Sequence, residues 1–362
     1  MTTERLPSSL RGSGLPTDCW YAVASSAEVG RHLTSVRAVG RPVLLFRTTS
    51  GEAVALEDRC AHRAYPLSSG RLDGDVVRCG LCGFGYDTGG QCVSVPTQSR
   101  VPFGACVPAF GVQESDGLVW VWLGEPGRAR LHRVPELGWL SAPGWATVGD
   151  EVTVAAGFGL LHENFADVTQ VPFVAPEIAP SVLGSMPPEL TVTVTETTVR
   201  LRREFQPEAL PAWQAQMLGV DDEKFEHVQE GAFVSPGLWV DHWDVRAGDP
   251  TGAPVAQAGW QRLRFTHLVT PLDPVTTRVM WRVSRDFAVT DPAATATLQR
   301  VFGGYYERVF RAMAVARQTL DVDGPGAEVN VSADVAGLKV REIIAQMLAE
   351  QSEAPRPRPR RG

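Results

Sequence analysis

Cys60, His62, Cys79 and Cys82 fall in two short pairs, Cys-x-His and Cys-x-x-Cys, with sixteen residues between them. Ligand pairs at this spacing suit two loop tips that close over one metal centre, since each tip delivers two side chains together. Three thiolates and an imidazole can hold tetrahedral zinc or the two irons of a [2Fe-2S] cluster, and the residue types alone leave both open. A second set worth testing is Asn164, Asp167 and Gln170 in one short helical stretch, where a carboxyl and two amides could donate, accept or move a proton. Glu163 lies four residues before Asp167 and suits a solvated charge near the helix N-terminus.

The chain has ample length to position both sets. Its 362 residues, 44% hydrophobic with ten Trp, predict a globular protein of two domains with full cores. The net charge of −7, from 41 acidic and 34 basic residues without a basic stripe, gives no reason to expect a nucleic-acid partner. No apolar run reaches membrane-spanning length and no secretory apolar segment follows Met1, so the expectation is a soluble, cytoplasmic protein without a membrane partner. Cys19, Cys92 and Cys106 are expected to be buried thiols, not disulfide partners.

Short β-branched runs broken by Gly, Asp and Ser predict an all-β domain over 19–148, after a loose N-terminus at 1–18; its strands include Val43 to Arg47, Ala53 to Glu57, Val76 to Cys79 and Val119 to Leu123. Its end, from Gly124, is rich in Pro, Gly and Arg and reads as a crossing. A second domain is expected over 149–350. It opens with a strand from Val152 to Ala156 and a helix around Leu160 to Thr169, and continues with strands near 190–194, 198–205, 237–245, 261–269 and 277–285. Leu298, Val301, Phe302, Tyr305, Val309, Met313, Ala316 and Leu320 then recur at three and four residues, which predicts one long amphipathic helix. Residues 351–362, with alternating Arg and Pro, read as an extended solvated tail.

The stretch from Glu57-Asp-Arg-Cys-Ala-His-Arg63 to Gly83-Phe-Gly-Tyr-Asp87, with Trp20-Tyr21 upstream and Trp120 to Leu123 downstream, resembles the Rieske domain of Rieske non-haem iron oxygenases of the vanillate-demethylase type. An antiparallel sheet around a long helix resembles the helix-grip (START-like) domain of the same enzymes, so the resemblance implies an α+β fold for nearly the whole chain. It also implies a homotrimer and a [2Fe-2S] cluster on Cys60, His62, Cys79 and Cys82. Cys82 stands where the family has histidine; a thiolate there makes the cluster more negative and lowers its reduction potential. Without a redox partner, the four ligands would act as a structural staple, and zinc would serve as well.

The second departure is larger. The family motif N-x-x-D-x-x-H-x-x-x-x-H would put two iron-binding histidines at Gln170 and Ala175, and its carboxylate near Arg311 or Ala312; Asn164 and Asp167 match, and the three ligands do not. No mononuclear iron is therefore expected. His162 is about 12 Å along the helix from Gln170 and cannot simply substitute. The remaining apolar cavity suits a hydrophobic small molecule, with Asp167, Asn164 and Gln170 as candidate catalytic groups and Trp239, His242 and His267, with Trp243 and Trp260, as candidate binding residues. The expectation is a redox-neutral cyclase or pericyclase acting on a polyketide-type intermediate of bacterial secondary metabolism. The alternatives are a Rieske-type hydroxylase or demethylase with an unusual metal site, and a non-catalytic subunit that partners an active oxygenase.

Overall fold

The computed structural model describes residues 14–220, 224–247, 259–324 and 328–353. The expected loose N-terminus and Arg/Pro tail fall mostly outside these. Within them, Gln351 accepts from Thr17 N–H at 2.8 Å and donates to the Leu15 carbonyl at 3.1 Å, and the Tyr21 hydroxyl donates to the Pro16 carbonyl at 2.6 Å. Residues 15–17 are thus held in place, and 351–353 are helical.

The chain divides into two compact units, one built mainly from residues 15–136 and the other mainly from 137–347. The first is all β. Strands β1 (Trp20–Ser25), β2 (Thr34–Ala38), β3 (Arg41–Arg47) and β4 (Ala53–Glu57) join the later β9 (Ala109–Ser115) and β10 (Leu118–Trp122) in a sheet of order β1-β10-β9-β4-β3-β2. Between β4 and β9 the chain makes a small second sheet, β5 (Arg71–Asp73), β6 (Val76–Arg78), β7 (Gly85–Tyr86) and β8 (Cys92–Ser94), whose loops carry the metal-ligand pairs. Leu44, Phe46, Leu56, Leu67, Val77 and Tyr86 form an apolar bed together with Cys60 and Cys79. A short helix α1 (Pro126–Ala129) follows.

The second unit carries a seven-stranded sheet of order β11-β17-β16-β15-β14-β13-β12. Its strands are β11 (Ala146–Val154), β12 (Thr191–Val194), β13 (Val199–Ala209), β14 (Lys224–Ser235), β15 (Leu238–Ala247), β16 (Gln261–Asp273) and β17 (Thr276–Arg285). Helices α2 (Phe158–Ala166), α3 (Val171–Val174) and α4 (Ala212–Leu218) precede the long α5 (Pro292–Asp323) and α6 (Val335–Glu353). Helix α5 starts where the Asp291 carboxylate accepts from Ala293 N–H at 2.8 Å with Pro292 in the first turn, an N-cap written in the sequence. Leu298, Phe302, Tyr306 and Val309 lie on its buried face. The fold is the α+β arrangement that the sequence implied, and strand β14 and helix α6 are the longest of the elements that the sequence pattern did not point to.

Candidate metal centre and candidate ligand pocket

In the first unit, the Sγ atoms of Cys60, Cys79 and Cys82 all lie within 4.8 Å of one another. Cys60 and Cys82, 22 residues apart, bring their sulfurs to 3.6 Å. Two local devices hold the tips. The Asp58 carboxylate accepts from Ser68 N–H at 2.7 Å and from the Ser68 and Ser35 hydroxyls at 2.6 Å, closing the loop after the first pair. Gly83 follows the second pair at φ +75°, where a Cβ would meet Pro96 at 2.7 Å. His62 sits on the first tip with its ring stacked on Phe84 at 5.0 Å, exposed and outside the group of three sulfurs.

The thiols are unequal. Burial pushes Cys60 up, but the Tyr86 hydroxyl, the His62 backbone N–H and the other two thiols outweigh it and hold it below the ordinary value. The Tyr86 hydroxyl donates to Cys60 Sγ at 3.2 Å and accepts from Ala61 N–H at 3.1 Å. Burial first, then the neighbouring thiols, pushes Cys82 up to about 12, so it ionises only when a metal takes the proton's place. A thiolate-rich set with a hydroxyl already donating to one sulfur fits an iron–sulfur cluster, and Cys60, Cys79, Cys82 and His62 are the residues that would hold it. Cys92 is buried, as expected, while Cys106 corrects the same expectation: it is exposed, on the segment that bridges Gln91.

In the second unit, a cavity of about 40 Å³ is enclosed by α2, β15, β16 and α5. That is room for a few waters or a small head group, much tighter than the broad apolar cavity the sequence suggested. Its wall is aromatic: Phe165, Trp243, Phe265, Phe302, Tyr305 and Tyr306. Its polar corner is Asp241, His267 and Asn164. The period of two along β15 puts Trp239, Asp241 and Trp243 on one face, and antiparallel pairing sets Trp239 opposite His267 and Asp241 opposite Phe265. Gly231 on β14 faces Asp241; a Cβ there would lie 2.8 Å from Asp241 Oδ1 and 3.0 Å from Leu201, so the glycine is what makes room for the carboxyl.

Asp241 is 7% exposed, and its only direct donor is the Trp239 indole N–H at 2.8 Å. Burial pushes its carboxyl up to about 8. His267 Nδ1 lies 3.7 Å from Asp241 Oδ2, and its Nε2 is hydrogen-bonded to the Tyr306 hydroxyl at 2.8 Å. Burial, with a further push from His162, brings His267 down to about 3, so the imidazole is neutral and is no counter-ion for Asp241. His162 is fully buried among Phe158, Phe165 and Phe233, with Nε2 3.0 Å from the Pro236 carbonyl, and burial brings it down to about 4.

The residues singled out from sequence scatter around this cavity. Asn164 and His267 line it. Asp167 does not: it ends α2 and its carboxylate closes an Asx turn on Thr169 N–H at 2.8 Å and Thr169 Oγ1 at 2.7 Å. Gln170 lies beside Tyr305, whose hydroxyl it influences, and its Oε1 is buried without a partner. Trp239 is fully buried behind Asp241 and does not line the cavity. His242 is one residue out of phase with Asp241, so its ring lies on the other sheet face, against Trp139. Trp260 stacks on Arg246. Asp241, Tyr305 and Tyr306 were not singled out as site residues; the paired Trp around Asp241 in Trp239-Val-Asp-His-Trp243 was the available signal.

The residues where the family would hold its second iron do not fit one. Gln170 lies beside Tyr305, Ala175 is buried without a donor atom, Arg311 is exposed and paired with Glu307 at 2.9 Å, and Ala312 is a half-buried methyl. Among the described residues, the three cysteines are the one group of three ligand-type side chains close enough to share an ion.

Two family models match: the Rieske [2Fe-2S] domain over residues 19–110 and the vanillate O-demethylase oxygenase C-terminal domain over residues 154–350. Together they cover most of the chain, which belongs to the family of Rieske oxygenase alpha subunits. The iron-sulfur subunit TsaM1 of the toluene-4-sulfonate monooxygenase system of Comamonas testosteroni is 29% identical over 83% of this chain and 84% of its own length. The dicamba O-demethylase oxygenase component of Stenotrophomonas maltophilia is 27% identical over 93% and 98%. The vanillate O-demethylase oxygenase subunit of Pseudomonas sp. (strain HR199 / DSM 7063) is 25% identical over 94% and 96%. In fold, the crystal structure of dicamba monooxygenase bound to 3,6 dichlorosalicylic acid superposes with a TM-score of 0.85 at 23% identity, covering 94% of this chain and 100% of that one. These relatives are monooxygenases and O-demethylases, which corrects the expectation of a non-oxygenase cyclase.

Proposed function

We propose that this chain serves a Rieske-type oxygenase reaction, hydroxylation or demethylation, on a small and largely apolar molecule held in the C-terminal cavity. The observation that supports it most is the pairing, in one chain, of a thiolate centre on a Rieske domain with an aromatic-walled cavity in a domain of the vanillate-demethylase type. Cys60, Cys79, Cys82 and His62 would hold the [2Fe-2S] cluster, which supplies electrons one at a time when bound. The chain's own part in the cavity is to bind and orient: Phe165, Phe265 and Phe302 exclude water, while Asp241, His267 and Asn164 give one polar corner against which a substrate can be aligned. Any metal that activates oxygen would need a ligand set other than positions 170, 175 and 311–312, and enters no step of this reading. Domain limits near residues 19, 148 and 350 and a trimeric assembly belong to the same proposal.

A second reading is favoured by the absence, among the described residues, of any group of three metal-ligand side chains other than the three cysteines: the chain is a non-catalytic subunit that partners an active oxygenase. One experiment separates the two. Purified protein with a ferredoxin, its reductase and aromatic ethers or N-methyl compounds consumes oxygen and releases formaldehyde under the first reading. Uptake that appears only when a histidine-containing oxygenase subunit is added supports the second.

A further inference from the structure

Resting on the oxygenase reading, we infer that the C-terminal cavity selects an aromatic molecule carrying a protonated amine, with Asp241 as its counter-ion. The carboxyl of Asp241 is buried, lines the cavity, and has no cation beside it: the one basic side chain within 4 Å is the neutral imidazole of His267. No Lys or Arg lines the cavity beside it. Arg203, a buried guanidinium in the same unit, bonds to Gln229 and feels Asp167 instead.

The atoms left without partners point the same way. Asp241 Oδ1 and Asn164 Oδ1 are buried acceptors with no donor, and both residues line the cavity. Gln170 Oε1 is a third such acceptor, beside Tyr305. Buried acceptors without donors are costly, and a ligand bringing several N–H groups satisfies them together. The aromatic wall adds to this, because ring faces attract a cation and do nothing for an anion. A ligand carboxylate would meet the Asp241 carboxyl and these acceptor oxygens with no Lys or Arg in the lining to offset them. Size agrees as well: about 40 Å³ accommodates an ammonium or methylammonium head while the rest of the molecule extends towards the opening.

Three probes of similar shape test this on the full chain by titration calorimetry at pH 8.8, above the Asp241 value of about 8 so that its carboxyl is ionised: phenethylamine, benzyl alcohol and phenylacetate. The amine is expected to bind about tenfold or more tightly than phenylacetate, a difference of about 1.4 kcal/mol. Asp241→Asn should bring that ratio to about unity, with thermal unfolding as the check on folding. Asn164→Asp, which adds a carboxylate to the same corner, should tighten the amine and weaken phenylacetate. Equal or tighter phenylacetate binding overturns the inference, as does a ratio that survives Asp241→Asn. Preference for benzyl alcohol, or no binding by any probe while oxygen uptake proceeds on another substrate, overturns the inference and spares the oxygenase reading. Amine binding without oxygen uptake under any condition does the reverse.

Discussion

The thiolate centre and the aromatic cavity are both places where this chain departs from its family, and the departures differ in kind. At the first, Cys82 stands where the family resemblance implies a histidine and is itself a residue of metal-ligand type, and three sulfurs converge within 4.8 Å. At the second, Gln170, Ala175 and the exposed Arg311 stand where the family resemblance implies iron ligands, and among the described residues they belong to no group of ligand-type side chains close enough to share an ion. Exchange of one ligand for another keeps a site's purpose. The cavity nearby has an aromatic wall and takes its polar corner from other residues, Asp241, His267 and Asn164.

The largest effect that would break this contrast lies in the first unit. Cys79→Ser removes a buried thiolate from the centre and should abolish metal binding and lower the thermal midpoint sharply, since the bound metal contributes folding energy on the order of several kcal/mol. Unchanged stability and metal content would mean that the three sulfurs are not a centre. Next in size is a gain of function. Gln170→His, Ala175→His and Ala312→Asp together should add about one tightly bound Fe(II) per chain, because 2-His-1-carboxylate sets suffice for the ion; iron analysis reads it directly. Ala312 is chosen over Arg311 because it is half-buried.

A smaller effect sharpens the second region. Gly231→Ala should displace the Asp241 carboxyl, costing about 1–3 kcal/mol by denaturant unfolding and weakening phenethylamine more than benzyl alcohol. If both ligands weaken equally, the glycine serves packing alone. The second region also carries a pH signature. His162 and His267 are brought down from 6.5 to about 4 and about 3 by burial. Their folded values lie below the unfolded one, so the stability tied to their neutral forms is present above pH 6.5 and is lost as pH falls towards 4, by up to about 3 kcal/mol for a fully buried ring. Asp241 acts in the opposite window: its folded value of about 8 lies above the unfolded one, so its contribution is lost as pH rises from about 4 through 8. Urea midpoints from pH 4 to 9 should show both limbs, with His162→Phe flattening the acid limb and Asp241→Asn the other.

Legibility from sequence follows the same division. The metal centre is local: two pairs on neighbouring loops, 22 residues from first to last, with Gly83 and Asp58 nearby to set the tips. Spacing therefore carried most of its geometry. The cavity joins residues from 164, 241, 267 and 305, and no spacing rule connects them. From sequence His242 shares a strand face with Val240 and Leu238, which reads as an interior face, yet the cavity lies on the alternate face with Asp241 and Trp243. Strand β14 escaped notice because its inward positions are Phe225, His227, Gln229, Gly231 and Phe233, a regular alternation hidden by polar residues and a glycine that the interior accommodates. Helix α5 was readable from end to end because its apolar stripe and its Asp-Pro start agree.

The most direct test of the contrast is the iron and acid-labile sulfide content of anaerobically purified wild type, Cys79→Ser and Gln170→Ala. If the thiolates hold the cluster and position 170 holds nothing, iron and sulfide appear in equal amounts, disappear together in Cys79→Ser, and are unchanged in Gln170→Ala. Iron without sulfide that survives Cys79→Ser and is lost in Gln170→Ala would contradict the account.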